Sequence, residues 1–398
     1  MANIYFAPQS YGGATIVAEQ MATHLRGRGH EVIAFTGTMD PAVHPGQFYR
    51  YEAEGLPVLA MGRTQARTPA QEYYQPDLAD RFRMALEAVQ PDVVHFHSIQ
   101  NLGVEIVEVA QAAGVPTVVT LHDAWWLCER QFMVRADGNW CRQSAIDARV
   151  CATCVPDPEA HFRRQQRSLQ ILNDCRRVLT PSRYWHDLML GSGISGEVLQ
   201  VNRNGVRHPR EGYRRSPHQG PVRFAFIGGE AKIKGAPQVR EALAGMTRSD
   251  YELILVDQEV KLGQRGLWEQ NWQHSGLIRI VPGYDHRDID DFFDGVDVLL
   301  FPSQWHESYG LTVREAILRG TWVIATEGGG AAEDLAEGVN ASLIPLDGRG
   351  DQLGIAMEKI LDEPGRFKGA ATPVQPIPTF TQQAIELEEI YSALLPGR

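Results

Sequence analysis

No stretch of this 398-residue chain approaches the roughly 20 consecutive apolar residues that a membrane-spanning helix requires. The sequence therefore does not read as an α-helical membrane protein. The opening Met1-Ala2-Asn3-Ile4-Tyr5-Phe6 has no basic cluster of the kind that starts a secretory leader, and it reads as a first strand. A cytoplasmic protein is the expectation. Positive charge is also short. The formal net charge is −11 and the first 207 residues contain no lysine, which argues against a general nucleic-acid binder. Disorder is excluded by composition, with 43% apolar and 22% charged residues. Cysteine is scarce, with five in all.

The length suggests two domains. The charge is divided unevenly between the halves. Residues 1–207 carry nineteen Arg against twenty-one acidic residues, and the remainder carries nineteen basic against twenty-eight acidic. Apolar periodicity supports the division. In the first half Ala14–Leu25 reads as a helix, with Val17, Met21 and Leu25 on one face. Strand-like runs at 30–35, 93–97 and 116–121 alternate with helix-like runs at 78–89 and 104–112. Residues 208–220 are polar and rich in Pro and Gly and read as a linker. The alternation then restarts, with strands at 222–227, 251–256, 277–281, 296–301 and 321–325 and a last helix at 380–395. Such β-α-β alternation implies parallel sheets joined by right-handed crossovers.

The most informative segment is His306-Glu307-Ser308-Tyr309-Gly310-Leu311-Thr312-Val313-Arg314-Glu315-Ala316. It follows a strand and a Pro302-Ser303 turn and opens a helix. Free N–H groups at a helix start can hold an anion, and the flanking carboxylates can accept hydroxyl hydrogen bonds. The string resembles the E-x7-E signature of retaining family 4 glycosyltransferases of the GT-B type. The resemblance implies a fold of two Rossmann-like α/β domains, 1–207 on the acceptor side and 221–378 binding the nucleotide sugar. Residues 379–398 are expected to form a helix returning to the first domain. It also implies that Glu315 binds ribose hydroxyls, that Glu307 holds donor-sugar hydroxyls, and that amides at Gly310, Leu311 and Thr312 meet the phosphates.

Other segments fall at strand ends, where open α/β sheets bind ligands. Gly12-Gly13 opens the first helix, and by resemblance Gly13 approaches the donor. His95 and His97 alternate on one strand and so share a face. His122-Asp123 matches a family loop that contacts the sugar substrates, which makes His122 a candidate catalytic residue and His97 and Asp123 acceptor contacts. In Gly228-Gly229-Glu230-Ala231-Lys232-Ile233-Lys234, Lys234 matches the family's phosphate-binding Lys. The family's Arg is replaced by Gly229, with Lys232 as a substitute cation. A leaving diphosphate gains negative charge, which fixed cations stabilise. Tyr284 resembles part of the base-reading loop. Asp288-Ile289-Asp290 has metal-binding spacing but reads as solvated charge on a helix, so no catalytic metal is expected.

Cys128, Cys141, Cys151 and Cys154 fall inside an insert, residues 124–160, and end in a C-x2-C pair. Four such thiolates can hold a structural zinc; free thiols are the alternative. Residues 161–177 combine His161, Arg163, Arg164, Arg167, Arg176 and Arg177 with apolar positions. A helix of that kind can lie on an anionic membrane, which keeps open a peripheral contact at the inner membrane face; a solvated face is the commoner explanation.

The resulting expectation is a retaining, metal-independent transferase. It moves a sugar from a nucleotide-diphosphate donor to a saccharide or lipid-linked acceptor, as in polysaccharide biosynthesis. A GT-B epimerase or phosphorylase, or a zinc-stabilised interaction module, are the alternatives.

Overall fold

The computed structural model describes residues 1–10, 12–63, 68–216, 218–262, 266–285 and 287–395. Pro217 of the expected linker and the end of the expected last segment, 396–398, lie outside them. The chain forms two compact units. One comprises 1–136, 141–205 and 378–398; the other comprises 137–140 and 206–377.

The first unit is built on strands β1 (Ala34–Thr38), β2 (Phe48–Ala53), β3 (Leu56–Gly62), β4 (Val94–Phe96), β5 (Thr117–Thr120), β6 (Arg177–Thr180) and β7 (Leu199–Val201). Two runs, β1-β3-β2 and β4-β5-β6-β7, are joined through Ala2, which bridges Phe35 and Phe96 in parallel. The expected first strand is thus reduced to a short bridging segment. Asn3 N–H donates to the Phe35 carbonyl and Ile4 N–H to that of Ser98, so the ladder is brief but placed between two strands. All pairings are parallel except β2 with β3. That hairpin turns on Glu54 and Gly55, both in the left-handed region, with φ of 53° and 77°. A two-residue turn of this hand matches the twist of the strands it joins. Val118 and Val119 of β5 are both fully buried, as expected when helices cover both faces of a sheet.

Helix Gly12–Gly27 buries Val17, Ala18, Met21, Ala22 and Leu25, the face that its periodicity marks. Helix Phe380–Leu394 packs beside it. A capping box of Thr379 and Gln382 starts that helix. Glu388 then takes Arg28 and His30, and Gln383 Oε1 accepts from Gly205 N–H at 2.8 Å.

The helix Pro158–Asn173 does not offer the whole of the expected basic face. His161 and Arg164 are buried, Arg164 donates to the Trp125 carbonyl beneath Tyr73, and Arg167 pairs with Glu105 and Glu108. Arg163 stays exposed and pairs with Glu159 on the same helix, so the expected basic face is reduced to part of its cations. Among the described residues no helix is long and apolar enough to cross a membrane.

The second unit holds one parallel six-stranded sheet. Its strands are β8 (Val222–Phe226), β9 (Tyr251–Asp257), β10 (Leu277–Pro282), β11 (Val298–Phe301), β12 (Trp322–Thr326) and β13 (Ala341–Ile344), in the order β10-β9-β8-β11-β12-β13. The order reverses between β8 and β11, the switch point where such sheets open a crevice. The expected linker is tied down at its end. Arg215 and His218 both reach the buried Asp297, at 3.1 and 2.9 Å, together with Arg223. Asp290 is not solvated either. It is buried and ion-paired with Arg319, so the Asp288–Asp290 spacing serves packing.

Candidate functional site

The two loops that leave the switch point carry most of the expected donor residues. After β8, Gly228 and Gly229 lead into a short 3₁₀ turn, Lys232–Lys234, closed by Gly235. Gly235 has φ 92°, and a Cβ there would lie 2.1 Å from the Pro302 carbonyl oxygen. Only glycine allows the two loops to touch. That contact aims Lys234 at the second loop, where its Nζ donates to Glu307 Oε1 at 2.8 Å. Ser303 Oγ donates to the same oxygen at 2.7 Å. Lys232 is exposed. A Cβ at Gly229 would meet nothing within 4 Å, so the position without the family's Arg is open space.

The second loop runs from β11 to a helix at Leu311–Ile317. Gly310 takes φ 79° at its start, and a Cβ there would lie 2.9 Å from that of Ala331. The helix has seven residues, so individual N–H groups at Leu311 and Thr312, rather than a long dipole, are what it offers. Glu307 is 8% exposed and Glu315 3%. Burial pushes the Glu315 carboxyl up to about 7, against a smaller opposing pull from Arg319. Tyr284 stacks on Phe292 with centroids 4.2 Å apart. Its phenol is held well above the usual range, first by burial and then by the nearby Glu315. Glu315 and Tyr284 are therefore neighbours.

A residue that sequence reasoning missed supports this loop. Arg314 is fully buried, forms an ion pair with Asp334 and lies over the Tyr309 ring at 3.6 Å. It also donates to the carbonyls of Tyr309 and, at 2.9 Å, of Gly330. Gly330 N–H in turn donates to the Glu307 carbonyl at 2.7 Å. One guanidinium thus fixes the Glu307 loop to the glycine-rich 328–334 turn. The only available signal was an Arg inside an apolar helical stretch.

In the first unit, the ends of β4 and β5 bring His95, His97, His122 and Asp123 together. His97 Nδ1 is 2.9 Å from His122 Nε2, and the rings of His95 and His97 stack at 4.2 Å. His95 is held by Tyr391 at 2.6 Å and Thr120 at 2.7 Å. Burial lowers all three histidines, His122 to about 4 and the other two well below their usual range. The cluster is neutral at physiological pH. Asp123 is pushed up to about 6 by its sheltered position, although Gln131 Nε2 at 2.7 Å, Trp125 N–H at 2.9 Å and Gln100 Nε2 at 3.4 Å hydrogen-bond to it. Gly12 takes φ 80° as the first helix opens, and Gly13 is exposed beside it.

The cysteines of the insert are all reduced. Gln143 Nε2 lies between two of them, 3.7 Å from Cys141 Sγ and 3.8 Å from Cys151 Sγ. Gln165 Nε2 also approaches Cys151, at 3.9 Å. Burial pushes the Cys128 thiol up to about 12. Among the described residues no three or more His, Cys, Asp or Glu are drawn together closely enough to hold an ion.

Two α/β units, one with a switch-point crevice edged by buried carboxylates and a lysine, define a GT-B protein. Residues 11–210 match Glycosyltransferase Family 4 and residues 214–371 match Glycosyl transferases group 1. The chain belongs to this family 4 group of glycosyltransferases. It is 24% identical over 390 residues to a glycogen synthase of Mycobacterium tuberculosis, covering 90% of this chain and 84% of that one. It is 26% identical over 360 residues to a D-inositol 3-phosphate glycosyltransferase of Paenarthrobacter aurescens, covering 84% and 80%. In fold it is similar to Anabaena HepE, solved in complex with UDP-glucose, with TM-score 0.66, 17% identity and full coverage of both chains.

Proposed function

We propose that the protein is a retaining glycosyltransferase. It moves a sugar from a nucleotide-diphosphate donor to a hydroxyl of a saccharide or lipid-linked acceptor. The observation that carries this reading is the Lys234–Glu307 pair, held by Ser303, on the loop whose helix carries the buried Glu315. A nucleoside diphosphate departs with growing negative charge, and Lys234 is the cation placed to meet it. Glu307 orients that cation and accepts from donor-sugar hydroxyls. Glu315 accepts from ribose hydroxyls near Tyr284, and the amides of Gly310, Leu311 and Thr312 face the phosphates. No carboxylate needs to act as a nucleophile. The departing phosphate oxygen takes the proton of the incoming hydroxyl on the same face of the sugar. His122, His97, Asp123 and Gly13 then serve the sugar side, where a neutral histidine cluster suits hydroxyls better than anions. Support comes from the relatives, a glycogen synthase and an inositol phosphate glycosyltransferase, and from HepE, solved with UDP-glucose.

The test is a screen of UDP-, ADP- and GDP-sugars for release of nucleoside diphosphate, with the product anomer read by proton NMR. Release from one donor with retained configuration is expected. Inversion, or no release from any donor, would overturn the proposal.

For the insert, the proposal is a structural zinc on Cys128, Cys141, Cys151 and Cys154. Its support is that the groups facing Cys141 and Cys151 are N–H donors from Gln143 and Gln165, which suit thiolates. The ion would have to draw the sulfurs closer together.

A further inference from the structure

A small cavity of about 10 Å³ lies at the ends of β4 and β5 in the first unit. That is room for one water-sized group. His97, Gln100, His122, Asp123, Trp125 and Trp126 are among the residues around it. Two buried polar atoms there, His97 Nε2 and Gln100 Oε1, have no hydrogen-bond partner among the described residues. The rest of His97 is committed, since it is 2% exposed and its Nδ1 pairs with His122. Buried polar atoms of this kind are met by whatever occupies the space beside them.

The direction of each hydrogen bond follows from the surroundings. The Gln100 amide nitrogen faces Asp123 Oδ2, which fixes the amide with its oxygen toward the cavity. Gln100 can then only accept. A hydroxyl has a single O–H, which donates a hydrogen bond to Gln100 Oε1. The hydroxyl oxygen must then accept from His97, so His97 carries its proton on Nε2. His97 Nδ1 in turn accepts from His122 Nε2–H. Every member of the chain is satisfied, and no charge enters the cavity. A phosphate or carboxylate would meet Asp123 and the Gln100 oxygen and be repelled.

We propose that this cavity binds one non-reacting hydroxyl of the acceptor sugar, with Gln100 and His97 as its specificity-determining pair. This rests on the reading of the first unit as the sugar side. The hydroxyl is not the attacking one, because its proton is held by an amide that cannot take it away. Gln100 is therefore a residue that sets which sugar is accepted, not a base.

The experiment uses the full chain labelled with ¹⁵N. Imidazole nitrogen shifts, assigned with His97→Gln, should show His97 protonated at Nε2. A panel of glucose, mannose, galactose, N-acetylglucosamine and myo-inositol is then titrated in. One sugar should move the His97 Nε2 signal, and its deoxy analogue at the recognised position should bind at least tenfold more weakly. Gln100→Leu should weaken the parent sugar and leave the deoxy analogue unchanged, so that the preference collapses. A purely structural Gln100 would weaken both alike. A His97 protonated at Nδ1 overturns the proposal whether or not the variant folds. A His97 signal unmoved by any sugar means that the cavity holds only a water, and overturns it too. If the enzyme still transfers sugar to a member of the panel in that case, the glycosyltransferase reading stands and only the cavity assignment falls.

Discussion

The ammonium of Lys234 lies 2.8 Å from a carboxylate oxygen of Glu307, two residues from different loops of the second unit. The pair keeps the lysine aimed at the switch point. It also means that each residue depends on the other, since Glu307 is buried and Ser303 is the other side chain on that oxygen.

Lys234→Ala should lower kcat by on the order of 10²–10³, as loss of a transition-state donor does. Lys232→Ala should change it by less than tenfold, because that side chain is exposed. Steady-state release of nucleoside diphosphate from the donor found in the screen measures both. A larger effect at Lys232 would show that it replaces the cation missing at Gly229.

Glu315 gives a pH test with a definite sign. Its carboxyl is raised from 4.5 to about 7 by burial. The folded state therefore holds the proton more tightly than the unfolded chain. The associated stability is fully present below pH 4.5 and is lost as pH rises through 7. Relative to Glu315→Gln, the wild type should lose about 3 kcal/mol across that window. Urea unfolding at pH 5 and pH 7.5 reads the difference, and a pH-independent difference would contradict it.

Glu315→Ala should also weaken nucleoside diphosphate binding about tenfold or more, since hydrogen bonds to a charged group contribute roughly 1.5–3 kcal/mol. Calorimetry with UDP, ADP and GDP measures this. Unchanged affinity for the nucleotide that binds wild type would remove Glu315 from the ribose site.

Arg314→Met should destabilise the second unit by about 3–5 kcal/mol, because it takes from the buried Asp334 its ion-pair partner and leaves it the neutral Gln375 amide. Adding Asp334→Asn should recover part of that loss. Denaturant unfolding of the single and double variants checks both values.

The cysteine insert is tested by elemental analysis of protein purified without a metal-binding tag. Zinc near one per chain is expected, falling at low pH as the thiols protonate. Substoichiometric metal with four freely titrating thiols would settle the insert as reduced cysteines.

Much of the second unit was legible because its strands are continuous apolar runs and its turns are marked by glycine. Val298–Phe301, the Pro302 turn and the helix after Gly310 stand in the sequence much as they stand in the fold. The β2–β3 hairpin was not legible. Phe48-Tyr49-Arg50-Tyr51-Glu52-Ala53 is an edge strand, largely open to solvent, and has no apolar run to announce it. The supports of the site were illegible for another reason. Arg314 meets Asp334, and Gln100 meets Asp123, across separations that leave no local period. The Asp288–Asp290 spacing misled because Asp290 turns inward to Arg319.

Residues 378–398 belong to the first unit although they follow the whole of the second. The polypeptide therefore passes between the units four times, twice for the short 137–140 excursion and twice for the long 206–377 stretch, and no single cut separates them cleanly. Expressed alone, residues 1–205 would lack Tyr391 against His95 and the helix that packs beside Gly12–Gly27. Residues 206–398 would carry that helix with its apolar face in water. A laboratory that wants either half must make two cuts, or move the last helix to the front of the chain.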